Sequence, residues 1–244
     1  HRSGLARAFG FIAALHPDLA CERLSLLAKG PEKVGFFQTR DKTKKELSEY
    51  SRVIAAHGLC YAARRMQQGI LSSRLDAVVL PTLTSILQDC KLLDVREAVM
   101  DGCVLLEAPL RKQVATTAQG GGGAGFSFKG REALLDVLLK SVPLDSSSSN
   151  SSKDKASPAT SNAAKQLFSL TCRTLQAIAS LVSAVPLPLI SSGMSERIVQ
   201  FTLQAITSRS WGDVDAAAES ALRAAGGAAL QALLHHQPKL DLDT

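Results

Sequence analysis

Residues 53–63, VIAAHGLCYAA, set Gly58 in the middle of an apolar helical run. The same idea stands at 5–15, LARAFGFIAAL around Gly10, and at 98–108, AVMDGCVLLEA around Gly102. The intervals are 58 − 10 = 48 and 102 − 58 = 44 residues. Glycine inside a helix costs about 1 kcal/mol relative to alanine. It is tolerated where a neighbouring helix comes too close for a larger side chain, so Gly10, Gly58 and Gly102 are expected to be packing contacts. Recurrence at this interval is what a stack of helix pairs produces. The expected fold is all-α, an α-solenoid of HEAT/armadillo-type antiparallel helix pairs.

The pattern extends on both sides of Gly58. From Lys44 to Met66, Leu47, Tyr50, Ile54, His57, Tyr61 and Ala62 keep the i, i+3, i+4 rhythm of a helix. Arg64 and Arg65 close it, matching the negative end of the helix dipole. Upstream, a helix over 3–15 leads to a second that opens at Pro17 and stops at Gly30-Pro31. Downstream, Ser72 or Ser73 is expected to cap a helix reaching Asp89, with a kink or a short break near Pro81. Asp94 caps the next helix, expected to end at Pro109. The chain therefore divides into a HEAT-repeat block at 1–117, a Gly-rich loop at 118–129 and a further helix at 130–142. A Ser-rich linker at 143–162 is too polar to offset the entropy of ordering and is expected to be disordered. A second HEAT-like block follows at 163–244, with helices near 163–185, 195–208 and 214–236; Gly226-Gly227 in the last echoes the first three glycines.

Composition fits this picture. Hydrophobic residues are 45% of the 244 and aromatics only 5%, so Ala, Leu, Val and Ile must form the core, which suits close-packed helices better than a β-sandwich. The net charge is +6, but acids and bases alternate along most helices, which reads as a solvated surface and argues against nucleic acid. The five cysteines are scattered, odd in number and without a CxxC pair, pointing to free buried thiols and a reducing compartment. No run approaches the roughly 18 uninterrupted apolar residues of a membrane span. The chain begins at His1, directly against a helical pattern, which reads as a fragment of a longer protein.

Chemistry finds little support. The loop at 120–125 satisfies GxGxxG only because a glycine run must, and helix-like sequence precedes it where a dinucleotide site needs a strand. His235-His236 are adjacent on a helix and diverge by about 100°, so they do not converge on a metal. His57 lies on an apolar stripe with no partner in view and reads as a core histidine. No catalytic residue, cofactor site or metal site is assigned, and the chain is read as no enzyme, without a small-molecule substrate.

Two features bear on partners. Phe36 and Phe37 lie side by side in a polar loop and either fold back onto the stack or anchor a partner. Arg40, Lys42, Lys44 and Lys45 form a basic set diluted by Asp41, Glu46 and Glu49. It reads as a solvated face, the alternative being contact with an acidic partner or anionic lipid.

The segment 35–83, GFFQTRDKTKKELSEYSRVIAAHGLCYAARRMQQGILSSRLDAVVLPTL, resembles the maestro heat-like repeat family. The matching features are the apolar helix from Gly4 to Ala14, Phe36-Phe37, Asp41-Lys42, the run His57 to Ala63, and Ile70-Leu71 with Arg74-Leu75. The resemblance covers about residues 4–112. It implies one section of a very long cytoplasmic solenoid, a scaffold for other proteins associated with endolysosomal or vacuolar membranes. The alternative is a basic solenoid that binds anionic lipid or nucleic acid directly.

Overall fold

A computed structural model describes residues 2–29, 42–119, 128–142, 144, 158–184, 189–207, 211 and 214–236. Among these every regular element is a helix: α1 Arg2–Leu15, α2 Pro17–Lys29, α3 Lys42–Arg65, α4 Gln68–Arg74, α5 Leu80–Asp89, α6 Leu93–Gln119, α7 Arg131–Lys140, α8 Pro158–Val182, α9 Ser192–Thr207 and α10 Ala216–Leu234. A π-helical turn, Leu75–Val79, joins α4 to α5.

The helices stack in two rows. In one, α1 packs on α3, α3 on α6, α6 on α8 and α8 on α10; in the other, α2 packs on α5, α5 on α7 and α7 on α9. Contacts show that neighbours within a row run the same way. Arg7 meets Tyr61 and Phe11 meets Arg65 across α1–α3. Glu97 meets Ser169 and Glu107 meets Ser180 across α6–α8. In the second row, Asp18 pairs with Arg74 at 2.7 Å and Ser25 lies 3.4 Å from Thr82. Glu132 reaches Ser191, and Asp136 reaches Arg197 at 2.7 Å. The rows oppose each other: Arg52 on α3 donates to the Ala28 carbonyl of α2, while Gly58 faces Leu24 one turn back.

The core lies between the rows. Leu24, Leu59, Leu75, Leu83, Leu106, Leu134, Leu138, Ile178 and Ile198 are fully buried. Each such side chain contributes about 1.5–3 kcal/mol of transfer free energy, so interdigitation of the rows, more than helix propensity, holds the stack.

Both internal prolines behave differently from the sequence expectation. The helix expected from Ser72 or Ser73 starts earlier, at Gln68, where the Ile70 and Leu71 amides bond the Gln67 carbonyl. Pro81 does not simply kink it. Proline has no N–H, and its ring crowds the carbonyl four residues back, here that of Ala77. The chain absorbs this one turn earlier by widening into the π-turn, the Leu80 amide bonding the Leu75 carbonyl five residues back. The helix expected to end at Pro109 runs through it to Gln119. An interior proline costs about 3 kcal/mol. Here Pro109 is buried beside the fully buried Leu106 and Leu110, and the helix continues because both of its sides are packed.

The expected loops shrink as well. In the Gly-rich stretch 118–129, α6 extends to Gln119 and Phe128 is buried against Arg131. In the Ser-rich stretch 143–162, Leu144 is buried and α8 already begins at Pro158, a residue suited to a first turn. Residues 145–157, and with them most of the expected linker, lie outside the described residues. So do Phe36, Phe37 and Arg40. Asp215 caps α10 by accepting the Ala218 amide at 2.7 Å, a contact worth about 1 kcal/mol.

Gln68–Asp89 has the length and mean hydropathy of a membrane span. In this fold, Leu71, Leu75, Val79, Leu80, Leu83, Ile86 and Leu87 are buried in the helical core. Its charges are used locally too. Asp76 accepts the backbone amides of Lys129 at 3.0 Å and Gly130 at 2.9 Å, tying the start of α7 to the π-turn.

Candidate interaction surface

Two kinds of polar group line the first row, one serving the stack and one facing outward. The first is centred on Arg173 of α8, whose guanidinium bonds Asp101 and lies 3.6 Å from Glu97, both on α6. Ser169 donates to Glu97 at 3.2 Å and Ser180 to Glu107 at 3.2 Å. His57 on α3 stands beside this cluster. Burial pushes its pKa down, Asp101 opposes that, and Arg173 adds to it. A neutral imidazole next to a charged pair joined across two helices is a structural arrangement. Deeper in the same seams, burial pushes the Cys60 thiol well up and that of Cys103 to about 12, so both remain protonated fillers of the core.

The outward-facing groups gather along the first row, at the C-terminal ends of α3, α8 and α10 and in the middle of α6. A cavity of about 250 Å³ between α3 and α6 is lined by Arg64, Val104, Leu105, Glu107, Ala108 and Arg111. A second, of about 360 Å³, lies between α6, α8 and α10 and is lined by Glu107, Arg111, Ala179, Ser183, Ala228, Gln231, Ala232 and His235. Glu107 and Arg111 belong to both, so the two recesses adjoin in a groove that this residue pair divides. Glu107 is already engaged, by Arg111 at 2.9 Å and by Ser180. Arg64 is exposed at one end, and beyond it the Arg65 guanidinium lies 4.6 Å from the centre of the exposed Phe11 ring.

The residues expected from sequence fall elsewhere. Lys42, Lys44 and Lys45 belong to the opening turns of α3, and their side chains lie outside the described residues. At about 1.5 Å per residue, Lys42 is roughly 33 Å from Arg64 along the same helix. The structure therefore places the basic ends of α3 apart. The three glycines face three different surfaces. A Cβ on Gly10 would lie 3.0 Å from the Tyr61 Cβ on α3; on Gly58, 2.6 Å from a Leu24 methyl on α2; on Gly102, 2.8 Å from the Cys60 sulfur on α3. Gly226 makes a like approach, 2.4 Å from Ile206 on α9, while Gly227 has open space.

His235 and His236 diverge as adjacent helical positions should. His235 is exposed and lines the groove, whereas His236 is buried with Nε2 2.7 Å from the Val182 carbonyl. Its Nδ1 accepts the Ile190 amide at 3.3 Å, which fixes the tautomer with the proton on Nε2. Among the described residues no three His, Cys, Asp or Glu side chains come together as metal ligands.

Sequence reasoning did not find the groove. Arg111 and Glu107 look like an ordinary i, i+4 surface pair, and Ala228 and Gln231 sit in an Ala-rich helix more than a hundred residues further on. Only the stacking order of α3, α6, α8 and α10 brings them to one surface. Compared with known protein families, curated proteins and solved structures, the chain matches none.

Proposed function

We propose that this chain is a section of a HEAT-type α-solenoid acting as a non-enzymatic scaffold that binds other proteins along its first-row surface. The observation that carries the reading is the pair of co-directional rows, opposed to each other, with adjoining recesses between the helices of one row. Such a surface offers many shallow contacts at a fixed spacing, which suits partner binding better than one enclosed reaction site. The strongly shifted thiols are core fillers, and the groove is lined by the Glu107–Arg111 pair, Arg64, Ser183, Gln231, His235 and apolar side chains. Placement at the cytoplasmic face of an endolysosomal or vacuolar membrane is part of the proposal and rests on the resemblance to maestro heat-like repeat proteins.

The test is affinity capture with the chain, run beside liposome and nucleic-acid binding across a salt series. A scaffold retains a defined set of proteins at physiological salt. Direct binding to anionic lipid or nucleic acid that weakens steeply with salt, with no protein retained, would favour a basic solenoid that contacts those polyanions itself.

A further inference from the structure

We propose that the outer face of the first helix pair, α1 and α2, is a self-association surface whose occupant is a second copy of this chain, joined about a two-fold axis. Six of the eleven large apolar side chains exposed among the described residues lie on these two helices. One of them, Phe11, packs with Arg65. The other five, Leu5, Ile12, Leu15, Leu19 and Leu26, are between 42% and 79% exposed. Single exposed leucines are ordinary, but a cluster of them on one face marks a contact surface. On α1, Gly10 faces α3, where an added Cβ would lie 3.0 Å from Tyr61. At about 100° per residue, Leu5, Ala8, Ile12 and Leu15 fall on the opposite side of the helix. All four are exposed, and no charged residue interrupts the stripe.

The face is complementary to itself. Leu5 and Leu15 stand five residues either side of Gly10, and Ala8 and Ile12 two residues either side. In an antiparallel pair of α1 helices centred at that level, Leu5 meets Leu15 of the second copy and the bulky Ile12 meets the small Ala8. Each contact then occurs twice, as a two-fold interface requires. Helix α2 obeys the same axis. The turn between α1 and α2 lies at His16, so Glu22 and Arg23 stand roughly level with Gly10 on the antiparallel neighbour. Leu19 and Leu26 are placed symmetrically about that point, and the exposed Glu22 of one copy meets the exposed Arg23 of the other. Opposite charges thus cross the axis twice, which fixes the register. With 14 and 13 residues, α1 and α2 are each about 20 Å long, and at about 8–10 Å between helices the face is roughly 20 Å square. Joining two such faces buries on the order of 1,000 Å², about what a specific interface requires. Other occupants fit less well. The dry contacts inside the first row use small residues, Gly10 against Tyr61 and Gly102 against Cys60, whereas this face carries large aliphatic ones. A head-to-tail array needs a matching face at the far end of the stack. There α9 and α10 expose only Leu203 and Leu234 among their large apolar side chains. The two-fold arrangement sets α1 on α1 and α2 on α2, so the first rows of both copies lie on one side. Self-association goes beyond the scaffold reading and does not depend on it.

The experiment is sedimentation equilibrium of the chain across roughly 1–100 µM, a range that spans weak to moderate self-association. Reducing agent is present throughout, so disulfide-linked pairs do not form. The variants are Ile12→Glu with Leu15→Glu on α1, Leu203→Glu on α9 as a control, and Arg23→Glu, Glu22→Arg and their combination on α2. All these positions are exposed, and circular dichroism verifies that each variant remains folded. The expected result is a monomer–dimer equilibrium in the wild type, weakened at least about a hundredfold by the α1 variant and unchanged by the control. Arg23→Glu and Glu22→Arg each weaken it by up to about tenfold. Their combination restores it, because swapped copies again set opposite charges across the axis. A monomer at every concentration overturns the proposal and leaves the face to another occupant, such as a further helix pair. A dimer that survives Ile12→Glu with Leu15→Glu, or that Leu203→Glu breaks equally, overturns it as well. A charge swap that fails to restore association overturns the two-fold arrangement.

Discussion

Helix α6 is packed on both sides, and its two seams are built from opposite materials. Toward α3 it presents Gly102 and Cys103 to Ala56 and Cys60, a dry contact in which a Cβ at Gly102 would lie 2.8 Å from a fully buried sulfur. Toward α8 it presents Glu97, Asp101 and Glu107 to Ser169, Arg173 and Ser180. The dry seam gains from burial and close approach, and it fails when volume is added. The polar seam sets register through charge and hydrogen bonds, but Arg173 and Asp101 are 35% and 44% exposed, so water screens much of their attraction. One helix thus joins a seam that supplies stability to a seam that supplies alignment.

The largest effect is expected from overfilling the dry seam. Gly102→Leu should cost about 1–3 kcal/mol and lower the thermal midpoint accordingly. Gly58→Leu should do the same against Leu24. Gly227→Ala, where no atom lies within 4 Å of the added Cβ, should instead stabilise, by up to about 1 kcal/mol. Equal midpoints for all three would erase the distinction between packed and open glycines.

On the polar seam, Arg173→Met with Asp101→Asn forms a double-mutant cycle. The coupling should be within about 1 kcal/mol and shrink with added salt. A salt-independent coupling of several kcal/mol would mean that the pair is the main fastener and would reverse the comparison.

Acidification tests both regions. Burial lowers the pKa of His57 and of His236, so at mildly acidic pH the unfolded chain takes up protons that the folded chain refuses. Stability should be level above the unfolded histidine value near 6.5 and fall as pH drops below it. Urea midpoints at pH 7.5 and about 5.5, above the range where carboxylates titrate, check this. A flat profile would contradict the burial of both rings. The smallest effect concerns thiols. Cys172, half-buried on α8, should react with a disulfide reagent before the fully buried Cys60 and Cys103, which should label only on unfolding. Simultaneous labelling would open the dry seam to solvent.

The dry seam was readable in the chain and the polar one was not, for a physical reason. Close helix contact demands small residues, and glycine in an apolar run is conspicuous even though Gly58 faces Leu24 and Gly102 faces Cys60 on other helices. The Glu97–Ser169, Asp101–Arg173 and Glu107–Ser180 contacts span 72 or 73 residues across another helix and two loops, and nothing local marks them. The helix breaks were misread where local propensity met packing. Pro109 has the residue type of a helix end and the burial of a helix middle. Pro81 signalled an irregularity correctly, but its form, a π-turn one turn earlier, depends on how the helix packs. The groove was hidden for the same reason as the polar seam. Arg64 and His235 are far apart in the chain, and each comes to a recess shared with Arg111 only through the stacking order.

The central claim is that first-row helices run in one direction, because seams and groove both follow from it. Pulsed electron spin resonance between labels at Arg64 and Arg111 tests it most directly. The native cysteines are replaced for labelling, and folding is verified by circular dichroism. The account predicts a short distance, since both residues line one cavity. If α6 ran opposite to α3, Arg64 would sit near Asp94 instead. The labels would then lie farther apart by about 25 Å, the rise of the intervening helix, and that longer distance would contradict the account.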